Sequence, residues 1–429
     1  MNRTLSLSAL AVLGISGVTP HCRAGDEYEN APIHYSATEP NDLTAQLQKQ
    51  MDAGMLQLPK GDAWKLMSEL QKLYGVLPSS QTMVFSKTSK QNDLIHPATP
   101  RVIYFGDNAY LGYSVGGSIE VAAIDPKLGP IFYLIDPEPR RNRPLRFERD
   151  QGCLSCHGGP FSPDVPGVLV RSVIPGAEGH PLMSQGSVVV DTTTPFEERW
   201  GGWYVTGKHG KLNHRGNTTA KEDGEIVSFD ASGGQNIADL SSFFDTSPYP
   251  TKTSDVVALM VLEHQTSTQN ILTKANHTAM RAMHMQTSLQ RELGETVSQV
   301  PSGTAERMVT HATEDVLDAI LFKDEAVLPE GGIEGTQAFM DEFSASAPLS
   351  KEGRSLKDFQ LLGRLFKYRC SYMIYGVTFL HLIPQLKTPV MTQLKTIMTA
   401  PQAPERYAHL SDSERQSIHK ILTDTLPGY

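Results

Sequence analysis

The chain has 429 residues, 20% of them charged, and its 38 Lys and Arg against 47 Asp and Glu leave a formal charge of −9. A moderately acidic surface argues against nucleic acid and anionic lipid as partners, and it permits docking to a redox partner protein with a basic face. Four cysteines in so long a chain exclude a disulfide scaffold, and the length suggests two or three domains with a sizeable core.

The first residues read as a targeting segment. "MNRT" carries Arg3, an apolar run "LSLSALAVLGISGV" follows, and "TPHCRAG" closes it. This is the three-part layout of a secretory signal peptide over residues 1–24, with cleavage predicted after Ala24. The apolar run is shorter than the roughly 20 residues of a bilayer span. A lipid anchor would use Cys22, but the preceding "TPH" lacks the small and apolar residues of such a site. Cleavage takes away Arg3, Arg23 and Cys22, which lowers the charge to −11 and leaves Cys153, Cys156 and Cys370. No other run spans a membrane, so the mature chain is expected to have no transmembrane segment and to be periplasmic.

Two helices come next. "NDLTAQLQKQMDAG" has Asn41 as cap and Gly54 as stop. "GDAWKLMSELQKLYG" has Asp62 as cap, Trp64, Met67, Leu70 and Leu73 at helical spacing, and Gly75 as its end. The pattern then turns to short runs rich in β-branched and aromatic residues: "TMVFSK", "RVIYFG", "AYLGYSVG", "IEVAAID" and "PIFYLID". These predict antiparallel strands. After a basic loop, "PEPRRNRPLRFERD", two more strands are expected at "GVLVRSVI" and "GSVVVD", and a Gly-rich strand and loop at "RWGGWYVTGKHGKLNHRGN". From Ser254, a plausible cap, the chain turns helical through about Gly294, again over "GTAERMVTHATEDVLDAILF", and again over "SLKDFQLLGRLFKYRCSYMIYG", which would bury Cys370 as an inert thiol. "SDSERQSIHKILTDTL" closes the chain, with Ser411 and Glu414 in a capping-box pattern. The expected fold class is α+β: an antiparallel β-rich central region, N-terminal helices before it and a helical C-terminal half. Residues 25–250 form the first domain and 251–429 a mainly helical domain packed on it.

The chemistry sits in "QGCLSCHGGP", where Cys153, Cys156 and His157 form C-x-x-C-H inside the β-rich region. This is the attachment motif of c-type haem. Two thiols two residues apart each bond one vinyl edge of a porphyrin, and the adjacent imidazole reaches the iron as proximal ligand. The alternatives are a thioredoxin-like dithiol, which calls for a βαβ context, and a zinc site, for which Cys370 is a lone fourth ligand. The expected cofactor is therefore one covalent haem c.

Several blocks carry a resemblance: "SSQTMVFSKTSKQ", "PRVIYFGDNAYLGYSVGG", "CLSCHGG", "RWGGWYVTGKHG", "LEHQ" and "GRSLKDFQLLGRLFKYRCSYMIYG". With them the chain resembles a family of secreted bacterial proteins with a single C-x-x-C-H, similar to c-type cytochromes. The resemblance implies export and covalent haem, and implies no particular reaction.

One haem motif in a chain four times the size of a small carrier domain suggests a substrate pocket, a docking surface or a sensing role. The far side of the iron decides between them. His209 and His214, in "GKHGKLNHRGN", and His264, beside Glu263 on the long helix, are the distal ligand candidates. His277, Met280 and His284 share one helix face, and Met183 and Met260 are further axial candidates, each equally suited to core packing. Arg146, Arg149 and Arg171 flank the motif and suit haem propionates. Trp200, Trp203 and Tyr204 suit a haem wall or plain core. The expectation is electron transfer through a covalently bound haem in the periplasm. Its alternatives are an oxidoreductase or peroxidase-like enzyme with an open distal side, and a haem-based redox or gas sensor. Substrate, redox partner and oligomeric state do not follow from the residues.

Overall fold

The computed structural model describes residues 27–140, 143–224 and 226–429. The expected signal peptide, residues 1–24 with Cys22, lies outside the described residues.

Helices α1 (Leu43–Asp52) and α2 (Ala63–Tyr74) lead. Asp42 caps α1 by accepting from the Thr44 and Ala45 amides, one residue after the expected Asn41. Asp62 caps α2 as expected, and Gly75 ends it in the left-handed region at φ 62°.

Strands β1 (Thr82–Val84), β2 (Arg101–Gly106), β3 (Ala109–Tyr113), β4 (Ile119–Asp125), β5 (Gly129–Ile135) and β6 (Phe147–Arg149) follow. After the single-turn helix α3 (Leu154–His157) come β7 (Val170–Val173), β8 (Ser187–Val190), β9 (Trp203–Tyr204), β10 (Lys221–Asp223) and β11 (Ile226–Ser228). The main sheet is antiparallel in the order β6-β5-β4-β3-β2-β1-β9, and β7–β8 and β10–β11 form separate pairs. Strand alternation gives the sheet two buried faces. Val102, Tyr104, Leu111, Val121, Ile131 and Tyr133 share a core with Leu66, Met67 and Leu70 of α2. Phe105, Tyr110, Ala122 and Phe132 face the opposite way, into the core of the C-terminal helices.

Those helices are α4 (Val256–Glu292), α5 (Gly303–Ile320), α6 (Gln337–Ala345), α7 (Val377–Leu380), α8 (Pro384–Thr399) and α9 (Asp412–Thr425). Asp255 caps α4, accepting from the Ala258 amide at 2.8 Å. Ser254, the expected cap, joins two strands instead: its hydroxyl donates to the Tyr204 carbonyl at 2.6 Å and accepts from the Met83 amide at 2.9 Å. Ser411 caps α9 from the expected position, while the Glu414 carboxylate takes Arg364 and Arg369. The fold is α+β, with a β-rich middle and a helical C-terminal half. Residues of both expected domains share one hydrophobic core, from Val84 and Phe105 to Ile421 and Leu426. Among the described residues no helix is long and apolar enough to cross a membrane.

One expected helix is absent. The segment around Leu356–Ser371 is irregular: Leu361 and Gly363 adopt φ of 55° and 73°, Phe359 bridges to Phe366, and only a 3-10 turn follows at Tyr372–Tyr375. Its apolar spacing matches a helix, but its aromatics gather with α6 instead. Phe359 and Phe366 lie 5.5 Å apart, and Phe343 is 5.1 Å from Tyr372. Buried Lys357 gives its ammonium to Asp107 at 2.6 Å and Ser346 at 2.8 Å. These tertiary contacts outweigh helix propensity. Cys370 is buried as expected, but on this irregular segment, and burial pushes its thiol up.

Candidate functional site

Strand β6 delivers the chain to α3 through a tight turn, in which the Asp150 carboxylate accepts the Gly152 amide at 2.9 Å and pairs with Lys90. Cys153, immediately before α3, and Cys156 within it are free thiols, the first half-buried and the second exposed. Burial, reinforced by the Asp150 charge, pushes the Cys153 thiol up to about 12.

His157 is held in a fixed orientation. Its Nδ1 lies 2.8 Å from the Gly167 carbonyl, and the Gly167 amide donates back to the His157 carbonyl at 2.8 Å. A carbonyl only accepts, so this bond assigns the proton to Nδ1 and leaves the Nε2 lone pair without a hydrogen-bond partner among the described residues. Burial holds the imidazole below its ordinary pKa. The Phe132 ring lies 4.8 Å away. Gly167 is itself positioned by α4. Asn270 accepts the Val168 amide at 3.0 Å and donates to its carbonyl at 2.7 Å, and a Cβ on Gly167 would meet Asn270 Oδ1 at 2.6 Å.

The three motif residues line a cavity of about 370 Å³, a size ordinary for ligand pockets. Its floor is the α4-facing side of the sheet, where Gly112 and Ala122 leave room at the centre. The Arg101 guanidinium lies over Gly112, at 2.5 Å from where a Cβ would stand, and pairs with Glu120. Ser89 and Gln91 each donate to Glu120 at 2.9 Å. Burial pushes the Glu120 carboxyl up, but Arg101 and these hydrogen bonds outweigh it and hold the group below its ordinary value. Arg171, Trp203, Leu262 and Thr266 complete the wall.

The structure thus brings Cys153, Cys156 and His157 together with Arg171 and Trp203. It does not bring the other candidates there. Arg146 is exposed, and Arg149 bonds the carbonyls of Tyr35 at 2.8 Å and Thr38 at 3.2 Å. Trp200 donates to Glu263 at 3.1 Å in the core, and Tyr204 faces the opposite side of the sheet. His209 uses both ring nitrogens, on the Leu212 carbonyl at 2.7 Å and the Asn236 amide at 3.0 Å. His214 packs 4.7 Å from His209 and accepts the Gly216 amide at 3.0 Å. His264 stacks on Phe322 at 4.4 Å and bonds the Ser371 hydroxyl at 2.8 Å. His277 bonds the Lys127 carbonyl at 3.1 Å, Met260 is core, and Met183 is exposed. Among the described residues lining the cavity, His157 is the single imidazole and no thioether occurs.

Arg101, Gly112 and Glu120 were not expected at the site. Their signal was present: Arg101 and Glu120 are charges in phase with the buried positions of "RVIYFG" and "IEVAAID". Among the described residues no three His, Cys, Asp or Glu side chains gather to hold a metal ion. No family model matches the chain, and no curated protein or solved structure matches it.

The buried histidines set an acid limit on stability. Burial lowers His214 and His264 to about 3 and His277 to about 4. All three are neutral when folded, whereas the unfolded chain binds their protons near pH 6.5. Their contribution is therefore complete above pH 6.5 and declines as pH falls, each by up to about 1.4 kcal/mol per pH unit. Urea unfolding from pH 7.5 to 5 should show this fall, with a shallower slope in His264→Gln. An unchanged slope would assign the acid sensitivity elsewhere.

Proposed function

We propose that the protein is an exported, periplasmic c-type haem protein in which Cys153 and Cys156 hold one haem by thioether bonds and His157 Nε2 ligates its iron. The observation that carries this reading is His157: its proton is fixed on Nδ1 by the Gly167 carbonyl, its Nε2 has no partner among the described residues, and it stands on a cavity wall beside two free thiols. A backbone carbonyl behind the ligating imidazole is the usual outer partner of a metal-bound histidine. The cavity's apolar floor and its half-buried arginines, Arg101 and Arg171, suit a large planar group with carboxylate edges. When bound, haem supplies one-electron chemistry at the iron.

Among the described residues the lining would hold the iron through His157, and it offers no second imidazole and no thioether. This supports an oxidoreductase or a ligand-sensing protein, whose small ligand would meet Arg101, Glu120 and Thr266 as polar neighbours. A redox partner protein remains part of the reading, since electrons must reach the iron.

The test is the absorption spectrum of the chain matured in a periplasm with haem-c machinery. Pigment should stay with the protein through acid–acetone extraction, and the reduced form should shift on adding carbon monoxide. Extractable or absent pigment would overturn the covalent haem. A reduced spectrum indifferent to carbon monoxide would restore the closed electron carrier.

A further inference from the structure

Arg171 differs from the other cations of the cavity. Lys90 is paired with Asp150, and Arg101 with Glu120. Arg171 lies on β7, where its backbone is fixed from two sides: it pairs with Val189 of β8, and its carbonyl accepts the Trp203 indole proton at 2.9 Å. Its guanidinium rests on the Phe161 ring, 4.2 Å from the centroid. Among the described residues that guanidinium has no carboxylate partner and no hydrogen bond, and its Nε is buried. A guanidinium carries five donors in a fixed fork. The side chain is half-buried, and charges partly withdrawn from water are ordinarily paired.

We infer that Arg171 is the receptor for a carboxylate that enters the cavity, gripped by the guanidinium fork while Phe161 supports the other face of the group. The fork matches a carboxylate's two oxygens, which a lysine does not. The carboxylate has two possible sources. One is a propionate of the haem itself, and that version rests on the proposed function. The other is a free small carboxylic acid taken up as ligand or substrate.

The experiment uses the periplasmically matured protein, its Arg171→Gln variant and Arg171→Lys as a second variant that keeps the charge. One arm follows the midpoint potential from pH 5 to 9. If a propionate is the partner, Arg171→Gln lowers the potential at neutral pH, and the difference narrows as acid protonates the freed carboxylate; Arg171→Lys lies between. The other arm titrates acetate, benzoate and succinate while following tryptophan fluorescence, which reports through Trp203 on the cavity wall. If a free acid is the partner, the parent saturates with one of them and Arg171→Gln binds it at least about tenfold more weakly, the loss of a charge-assisted pair. Should the protein carry no haem, the proposed function fails but the fluorescence arm still reads the inference. A potential profile unchanged in both variants, together with no Arg171-dependent acid binding, would overturn it.

Discussion

Under the proposed function, a Cys153→Ala/Cys156→Ala variant will fold and keep no pigment through acid–acetone extraction, while the parent chain will stay coloured. Folding should survive because neither thiol carries much packing: Cys156 is exposed, and Cys153 is half-buried at the edge of the core. Substitutions of this kind cost about 1 kcal/mol or less. Pigment retention, in contrast, depends wholly on the thioether bonds in the proposed function. His157→Gly separates the remaining role. It keeps both thiols, removes the one imidazole on the cavity wall and leaves a space that free imidazole can refill. Its spectrum should depart from the parent and return on adding imidazole. Covalent pigment in the double cysteine variant, or no effect of His157→Gly on a coloured protein, would refute these assignments.

The largest loss of stability is expected at Glu263. This carboxylate is 1% exposed and pairs with Arg199, itself 3% exposed. It also accepts the Trp200 indole proton at 3.1 Å, while Arg199 donates onward to the Thr194 carbonyl at 2.9 and 2.7 Å. Burial pushes the Glu263 carboxyl up and the Arg199 guanidinium pulls against that. Glu263→Ala leaves a buried guanidinium without its counter-charge and a buried indole N–H without an acceptor, and should cost about 3–5 kcal/mol. Arg199→Met/Glu263→Leu should recover part of this, because burying a pair of charges is itself expensive. Urea unfolding at pH 7 decides the matter. A cost below about 1 kcal/mol for Glu263→Ala would mean that water reaches the pair.

The strands were legible because their short runs are rich in β-branched and aromatic residues and their turns are marked. "IEVAAID" became β4 over Ile119–Asp125, and "RVIYFG" became β2 over Arg101–Gly106. The motif was legible because its three residues are contiguous. The cavity was not, because its floor comes from strands β1 to β5, and Arg101 meets Glu120 only through the register that sets Ile103, Gly112 and Glu120 side by side. The segment near Leu361 was misread for a related reason. Helical spacing of apolar residues does not distinguish a helix from a loop whose aromatics converge from several directions, and a leucine at positive φ leaves no mark in sequence. His209 and His214 drew attention through neighbouring glycines, yet they pack against Phe196 and Trp200 away from the cavity.

Three consecutive residues of α4 point to three parts of the molecule. Glu263 holds Arg199 and Trp200, His264 holds Ser371, and Gln265 donates to the Gly106 carbonyl at 2.8 Å while accepting from the Tyr372 hydroxyl at 2.8 Å. Successive residues on a helix turn through about 100°, so the short block "LEHQ" works as an address read in rotation. Deleting or inserting one residue between Val256 and Leu262 would redirect all three contacts at once. From Met285 on, the helix exposes Met285 and Leu289 to solvent, and Leu293 just past its end is exposed too. Changes of length are therefore tolerable at that end of the helix, and its beginning sets the phase for everything built around it.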